Sequence, residues 1–375
     1  MNRLKKVHIE GFKSLGKKIE LDFGNITVLL GANGSGKSNF VSFFRMVNHI
    51  SSGALQKFVG ESGMAGSLLH FGSDRTRTIQ FGFEFESGDW TDVYEAALSF
   101  YAPDGLFFTE ERVSAQQVGH PNPLRETLQS AGQRESQLDA DNAPTVACQK
   151  ARRVISAMLR GCRVYQFHNT APAAPLRTSC YIEQGAYLRG DGGNLPAFLL
   201  SMKNREPAHY RRIVRAVREM VPQFRDFVLL PGVRDETRIL LNWIGERGEE
   251  CMFGPHQLSD GSLRFIALAA LLLQPEANLP DVIILDEPEL GLHPAAIQSL
   301  AGMVDTASQN CQVLLATQSA ALASQFDPES IRIVDYDQST HSSTFTPLPL
   351  DRLKAWLEDY SIAELWDKNI LGGRP

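Results

Sequence analysis

ITVLLGANGSGKS, residues 26–38, is the stretch of sequence that decides the fold. It begins with an almost continuous apolar run, which predicts a strand buried on both faces of a sheet. The remainder, residues 31–38, matches the pattern G-x-x-x-x-G-K-[ST], in which loop amides and the N-terminus of the following helix surround phosphate groups. A strand, this loop and a helix in that order predict an α/β fold with a nucleoside triphosphate site.

The loop residues have separate predicted parts in holding ATP. Lys37 places a positive charge on the β and γ phosphates, and the Ser38 hydroxyl is a predicted ligand of Mg²⁺. Glycines let the backbone turn its amides towards the phosphates. The predicted nucleotide-binding residues of this segment are Gly31, Ala32, Asn33, Gly34, Ser35, Gly36, Lys37, Ser38 and Asn39.

A second stretch, VIILDE at residues 282–287, has an apolar run followed by two acids. Such a strand delivers both carboxylates to the carboxyl edge of the sheet, where ligands bind in open α/β folds. We predict that Asp286 holds Mg²⁺, directly or through water, and that Glu287 is the general base that polarises the attacking water.

A third stretch, LSDGSLR at residues 258–264, precedes the Asp-Glu strand. A serine hydroxyl and a glycine amide at the start of a helix can bind phosphate, so Ser259 and Gly261 are predicted nucleotide contacts. The alternative is that Ser259 only caps the helix.

Together these motifs resemble the head of an ABC-type ATPase, because LSDGSLR is similar to the Leu-Ser-Gly-Gly-Gln signature of that class. The opening FKSLGKKIELDFGNITVLLGANGSGKSN and the segments VYQFHNT, LRGDGGNLPAFL, VPQFRDFVLLP and ELWDKNILGGRP resemble the bacterial AAA-family ATPases of the SMC/RecF/OLD-like group. The resemblance covers nearly the full length. It implies an ABC-type P-loop NTPase head, a mixed sheet flanked by helices, with an inserted mainly helical subdomain.

The resemblance also implies roles for further residues. Lys13 would lie near the nucleotide, and Gln166 would be a metal ligand that follows a strand, unless it is a hydrogen-bonded polar residue of the core. Gln318 takes the place of a switch histidine that senses the γ phosphate, so it joins Lys37 and Glu287 as a predicted catalytic residue. Its alternative is a polar cap on a strand.

ABC-type heads work in pairs, and the signature of one subunit closes over the ATP of the other. The resemblance therefore implies a homodimer with ATP and Mg²⁺ between its subunits, in which Ser259 and Gly261 contact the partner copy's nucleotide. Cleavage of ATP would remove contacts that only the closed state makes.

The predicted domains are an N-terminal part of the head at residues 1–90, the inserted subdomain at 91–224, and a C-terminal part of the head at 225–375. Alternating hydrophobic residues predict a strand at 79–85 and a hairpin at 96–113. The polar stretch 114–144 predicts a mobile loop or weak helix. Periodicity predicts helices over 146–159, 208–220 and 263–273.

Composition limits the possible partners. The formal net charge of −6 means that any DNA contact must come from a local basic patch. The candidates are Arg211, Arg215 and Arg218 on one helix face and a cluster of Lys150, Arg152, Arg153, Arg160 and Arg163, although solvated surfaces are the more common explanation of such clusters. No signal peptide or membrane-spanning run is evident, so we expect a cytoplasmic protein without membrane contact.

The resulting hypothesis is an ATP-hydrolysing switch that acts on DNA or on a separately encoded effector protein, in genome maintenance or antiphage defence. The alternative is a nucleotide-gated binding module with little turnover. Glutamine at position 318 is compatible with the alternative, because an amide can donate to a phosphate but cannot carry a proton charge.

Overall fold

The computed structural model describes residues 2–120, 122–129, 132–232, 235–246 and 251–372. The chain forms two compact units: a terminal unit of Met1–Arg163 with Pro328–Pro375, and a central unit of Val164–Asp327. The predicted domain boundaries at 90/91 and 224/225 fall at other points of the chain, and that division stays a prediction.

Both units contain strands and helices. The strands are β1 (Asn2–Glu10), β2 (Ile19–Asp22), β3 (Ile26–Leu30), β4 (Thr78–Ser87), β5 (Trp90–Tyr101), β6 (Gly105–Gln117), β7 (Leu124–Gln129), β8 (Cys162–Tyr165), β9 (Cys180–Tyr181), β10 (Phe224–Val228), β11 (Arg238–Ile239), β12 (Asn242–Gly245), β13 (Met252–Phe253), β14 (Val282–Asp286), β15 (Gln312–Thr317), β16 (Ile331–Asp337) and β17 (Ser342–Pro347). The α-helices are α1 (Lys37–Ile50), α2 (Leu55–Glu61), α3 (Val146–Gly161), α4 (Leu195–Arg205), α5 (Pro207–Met220), α6 (Asp260–Leu272), α7 (Pro294–Ser308), α8 (Ala320–Ala323), α9 (Leu350–Asp359) and α10 (Ile362–Asp367).

The terminal unit has an antiparallel sheet in the order β2-β1-β4-β5-β6-β7. Alternation along β4 places Phe81, Phe83 and Phe85 on the buried face of this sheet. Phe43 of α1 packs on that face, with ring centroids 5.4 Å from Phe81 and 5.7 Å from Phe83. These aromatic contacts fix α1, and therefore the loop that precedes it, against the sheet.

The same unit holds β3 parallel to β16, and β17 runs antiparallel to β16. Four of the five residues of β3 are buried, as its apolar run predicts. The mixture of parallel and antiparallel strands agrees with the predicted mixed sheet.

The central unit is built around the parallel pair β14 and β15, whose residues are all buried. The helix α6 is apolar nearly all round, and its residues from Leu263 to Leu272 are buried except for Arg264. Because parallel strands end at the same edge, Asp286 and Ala316 are paired there. This edge carries the acidic residues of the site.

The structure confirms the helices predicted in the middle of the chain and corrects the polar stretch 114–144. That stretch is not simply a mobile loop or weak helix, because β6 continues to Gln117 and β7 spans Leu124–Gln129. The helical description of the inserted region fits α3, α4 and α5 but not the strands β5 to β9. The hydropathy pattern does not reveal β7 because its buried residues, Glu126 and Gln129, are polar.

Within the described residues, no helix is both long and apolar enough to cross a membrane.

Candidate functional site

The glycine-rich loop connects β3 to α1 and is closely surrounded by other backbone. Gly36 is the N-cap of α1 with φ 113°, and a Cβ at this position would lie 2.0 Å from Ser343 Oγ on β17. Both the conformation and the close approach require glycine. The first turn of α1 contains no acidic residue and no side-chain cap, so the positive end of its dipole is available to an anion.

Lys37, the charged residue of the loop, is buried, with 3% of its surface exposed. Its ammonium donates to Gly31 O at 2.7 Å and to Ala32 O at 2.8 Å. Since these are the loop's own carbonyls, phosphate oxygens would have to replace them in a nucleotide complex. Asn33, Gly34 and Ser38 are exposed, as residues that approach a ligand must be, whereas Ser35 is buried.

Residues beside the loop hold its helix in place. The Asn39 amide donates to Ser14 Oγ at 2.8 Å, and Ser343 Oγ donates to the same oxygen at 2.8 Å. The Lys13 ammonium donates to Ser42 Oγ at 2.9 Å, and burial, with a smaller contribution from Arg45, lowers the pKa of Lys13. The structure thus places Lys13 against the flank of α1, and its predicted contact with nucleotide stays a prediction.

The acidic edge of the central unit begins with Asp286, the last residue of β14. The Asp286 carboxylate is 4% exposed and accepts a hydrogen bond from Gln166 Nε2 at 3.0 Å. Gln166 follows β8 directly, as expected, and also lies 3.1 Å from His168 Nδ1. Because His168 Nε2 donates to Asp286 O at 2.7 Å, the partners assign the ring proton to Nε2.

Glu287 has a backbone conformation that is uncommon for a residue with a side chain. Its φ is 42°, and its amide donates to Ala316 O at 2.7 Å at the end of β15. Left-handed conformations of non-glycine residues occur often at functional sites, where surrounding contacts maintain them. The turn at Glu287 ends β14 and leaves this side chain partly exposed, unlike the buried Asp286.

Glu289 is a buried acid that the sequence analysis did not select. Thr317 Oγ1 donates to its Oε1 at 2.5 Å, whereas Oε2 is buried without a hydrogen-bond partner among the residues that the structure describes. Burial raises the pKa of Glu289, and the charge of Glu287 acts in the same direction. The backbone amide of Gln318 opposes the shift; Gln318 itself lies directly after β15 with its side chain exposed.

Ser259 caps α6, as the alternative interpretation expected. Its Oγ accepts a hydrogen bond from Ser262 N at 3.1 Å and shares another with Ser262 Oγ at 2.8 Å. The residue is also exposed, so the cap does not exclude contact with a ligand. A Cβ at Gly261 would lie 2.3 Å from Gly291 O, which explains the glycine in the motif by close contact with the loop that follows Glu287.

Two arginines that the sequence analysis did not assign a role connect these segments. Arg177, 7% exposed, donates to Thr170 O at 2.7 Å and to Leu258 O at 3.2 Å. It also pairs with Asp260 at 2.7 Å. Arg264 lies within the LSDGSLR motif, whereas no local pattern marks Arg177.

Arg264 joins the segment after Gln166 to the loop after Glu287. Its guanidinium donates to His168 O at 2.9 Å and to Leu290 O at 2.8 Å. The central unit therefore holds the Asp286 network and the start of α6 together through buried or partly buried guanidinium groups.

The predicted basic cluster is smaller than the sequence indicated. Arg152 is buried and paired with the buried Glu126, so it cannot contact DNA, and no sequence pattern indicates this ion pair. Arg160 is paired with Asp139. Arg211, Arg215 and Arg218 are exposed on α5 and stay candidates for DNA contact, as do the exposed Lys150 and Arg153 of the cluster.

Comparison with known proteins agrees with this architecture. A family model described as an AAA domain matches residues 6–142, and one described as "AAA domain, putative AbiEii toxin, Type IV TA system" matches residues 221–324. Both matched segments are therefore similar to AAA domains. No curated protein matches this chain by sequence.

Solved structures similar to this chain include SMC heads. An SMC head bound to the C-terminal winged-helix domain of ScpA is 17% identical, with a TM-score of 0.60 over 94% of this chain and 99% of the other. An SMC head with an extended coiled coil, bound to the C-terminal domain of ScpA and derived from Pyrococcus furiosus, is 14% identical, with a TM-score of 0.55 over 96% and 99%. The fold is that of an SMC-type head.

Proposed function

We propose that the protein binds ATP with Mg²⁺, hydrolyses it, and forms a homodimer with ATP at the interface. The observation that carries this proposal is the acidic edge after β14. There Asp286 is held by Gln166, and Glu287 turns out of the strand in a left-handed conformation. Fixed acids at this position, in a chain that also contains the Lys37 loop, support a hydrolytic site and not only a phosphate-binding one.

The predicted ligands fit Mg²⁺. Ser38, Asp286 and Gln166 offer hydroxyl, carboxylate and amide oxygens, the hard donors that Mg²⁺ prefers. No group of three or more His, Cys, Asp or Glu residues that could hold a metal occurs among the described residues, which suits an ion that takes most ligands from phosphate and water. When bound, the ion would offset phosphate charge. Gln166 now faces Asp286 with its Nε2, so its amide would have to rotate to offer oxygen.

In the proposed reaction each protein group has one task. Lys37 binds phosphate oxygens, and Glu287 orients a water and accepts its proton. Gln318 donates its amide to the γ phosphate. Asp286 is the buried residue that would bind Mg²⁺, and the hydrogen bond that it accepts from Gln166 keeps its carboxylate in one orientation.

The exposed start of α6 supports the dimer part of the proposal. Ser259 and Gly261 would approach the γ phosphate bound to the partner copy, so that cleavage loosens the interface. The similar SMC heads are bound to ScpA, and we propose by analogy that this dimer switches an effector protein or DNA. Cytoplasmic genome maintenance or antiphage defence are the roles that such a switch fits.

The test is E287Q, which keeps the shape of the side chain but removes the base. We expect phosphate release to fall at least about 100-fold and sedimentation to show a dimer with saturating ATP and Mg²⁺. The control S259R/E287Q should still bind ATP and remain a monomer. A monomeric E287Q protein at saturating ATP would contradict the dimer, and turnover equal to wild type would contradict the role of Glu287.

The second candidate is a nucleotide-gated binding module with little turnover. The exposed amide of Gln318 directly after β15 favours it, because an amide, unlike a histidine, cannot take up a proton and become charged. Steady-state phosphate release with and without DNA separates the two functions. Intact ATP binding with negligible release in every condition would support the binding module.

A further inference from the structure

The terminal unit contains a cavity of about 510 Å³ that the proposed ATPase reaction does not use. It lies between the sheet strands β5 to β7 and the first turns of α3. Its lining is largely apolar and includes Trp90, Leu124, Ala147, Ala151 and Val154. The volume falls in the range of sites for small organic molecules, about 300–1,000 Å³.

One carboxylate lines this cavity. Asp92 is 4% exposed and lies on the same face of β5 as the buried Tyr94 and Leu98, where alternation calls for a hydrophobic side chain. Within the described part of the chain, no group donates a hydrogen bond to it. Burial raises the pKa of Asp92 to about 6, and Lys150 opposes the shift from the cavity lining.

Other buried acids of the same unit accept hydrogen bonds or form an ion pair within the chain, and Asp92 differs from them in this respect. Glu111, on the neighbouring strand β6, accepts hydrogen bonds from Tyr94 at 2.7 Å and from Gln129 at 2.8 Å. Glu126 on β7 is paired with Arg152. A carboxylate with no hydrogen-bond donor among the described residues, and with Lys150 as its charged neighbour, costs stability on burial, so its retention at a cavity wall points to a further partner from outside the chain.

We propose that this cavity binds a small organic molecule with an aromatic or aliphatic body and one ammonium group, which forms an ion pair with Asp92. The apolar wall packs on the body of the ligand, and Trp90, 38% exposed, offers an indole to it. The Asp92 carboxylate attracts the ammonium group of the ligand and repels anions such as nucleotides, whereas Lys150 in the lining repels positive charge, so the site takes one ammonium group at most. The site is therefore separate from the ATP chemistry in both place and charge preference.

The test uses tryptamine and its neutral isostere tryptophol as probes of the full-length chain, with binding followed by ligand-observed NMR titration. We expect tryptamine to bind at least about tenfold more tightly than tryptophol, the effect of one charge-assisted hydrogen bond. D92N should remove that preference. The control D89N loses the same charge from an exposed position nearby and should keep it.

Two further measurements guard against a misfolded variant. D92N should melt at or above the wild-type temperature, because it removes an unpaired buried carboxylate. A147W fills the cavity from α3 without changing Asp92 and should abolish binding of both probes. The proposal is overturned if tryptamine shows no binding, if it binds no more tightly than tryptophol, or if A147W leaves its binding unchanged.

Discussion

Replacement of Arg177 by methionine tests how the start of α6 is held. The buried guanidinium donates to Thr170 O and Leu258 O, and it pairs with the Asp260 carboxylate, whose side chain is 59% exposed. A third carbonyl, Pro255 O, also accepts from Leu258 N and so keeps a donor. The variant R177M therefore leaves two buried carbonyls without their charged donor.

The expected cost follows from these contacts. Each unsatisfied buried carbonyl costs about 1–3 kcal/mol, and removal of the buried charge of Arg177 offsets part of this cost. The exposed Asp260 can be solvated and adds little. The balance is a loss of about 2–4 kcal/mol in the free energy of local opening at the start of α6.

Hydrogen exchange is the suitable assay, because a chain with two units need not unfold in one step. The amide of Leu263 donates to Ser259 O and reports on this region. Its protection should fall by about 30- to 700-fold in R177M. R189M is the matched control, because Arg189 pairs with Asp191 at an exposed site, and protection at Leu263 should not change. A loss below about threefold in R177M would refute the reasoning.

Two other predictions concern Gly261 and Asp92. G261A should lower phosphate release about tenfold or more while ATP binding persists, because its Cβ would lie 2.3 Å from Gly291 O; release within twofold of wild type would contradict this. As the pH rises from about 4 to about 6, wild type should lose stability relative to D92N. The reason is that the unfolded chain releases the Asp92 proton at a lower pH than the folded chain, in which the pKa of Asp92 is about 6. Melting temperatures of both proteins from pH 4 to 7 measure the second effect, and parallel curves would argue against it.

The parts of the site that local sequence determines could be predicted. The glycine loop before Lys37 and the apolar strand before Asp286 each form within a few residues, so their patterns indicate both structure and chemistry. Gln166 was placed after a strand by resemblance, and the structure brings it to Asp286.

The contacts that sequence could not predict join residues far apart in the chain. Arg177 and Leu258 are 81 positions apart, and neither lies in a pattern that indicates the other. The same holds for Arg152, whose place in a basic cluster concealed its ion pair with Glu126, 26 positions earlier. Glu111 was overlooked for a related reason: its donors come from three separate segments, including Ser136 and Gln137 beyond β7.

The contact between Gly261 and Gly291 has a mechanical consequence. Main chain lies against main chain there, and no side chain lies between the two glycines whose rotation could absorb a displacement. A shift of the turn beyond Glu287 must therefore push the first turn of α6 by a similar amount. A displacement beside Glu287 is therefore transmitted to the exposed surface around Ser259.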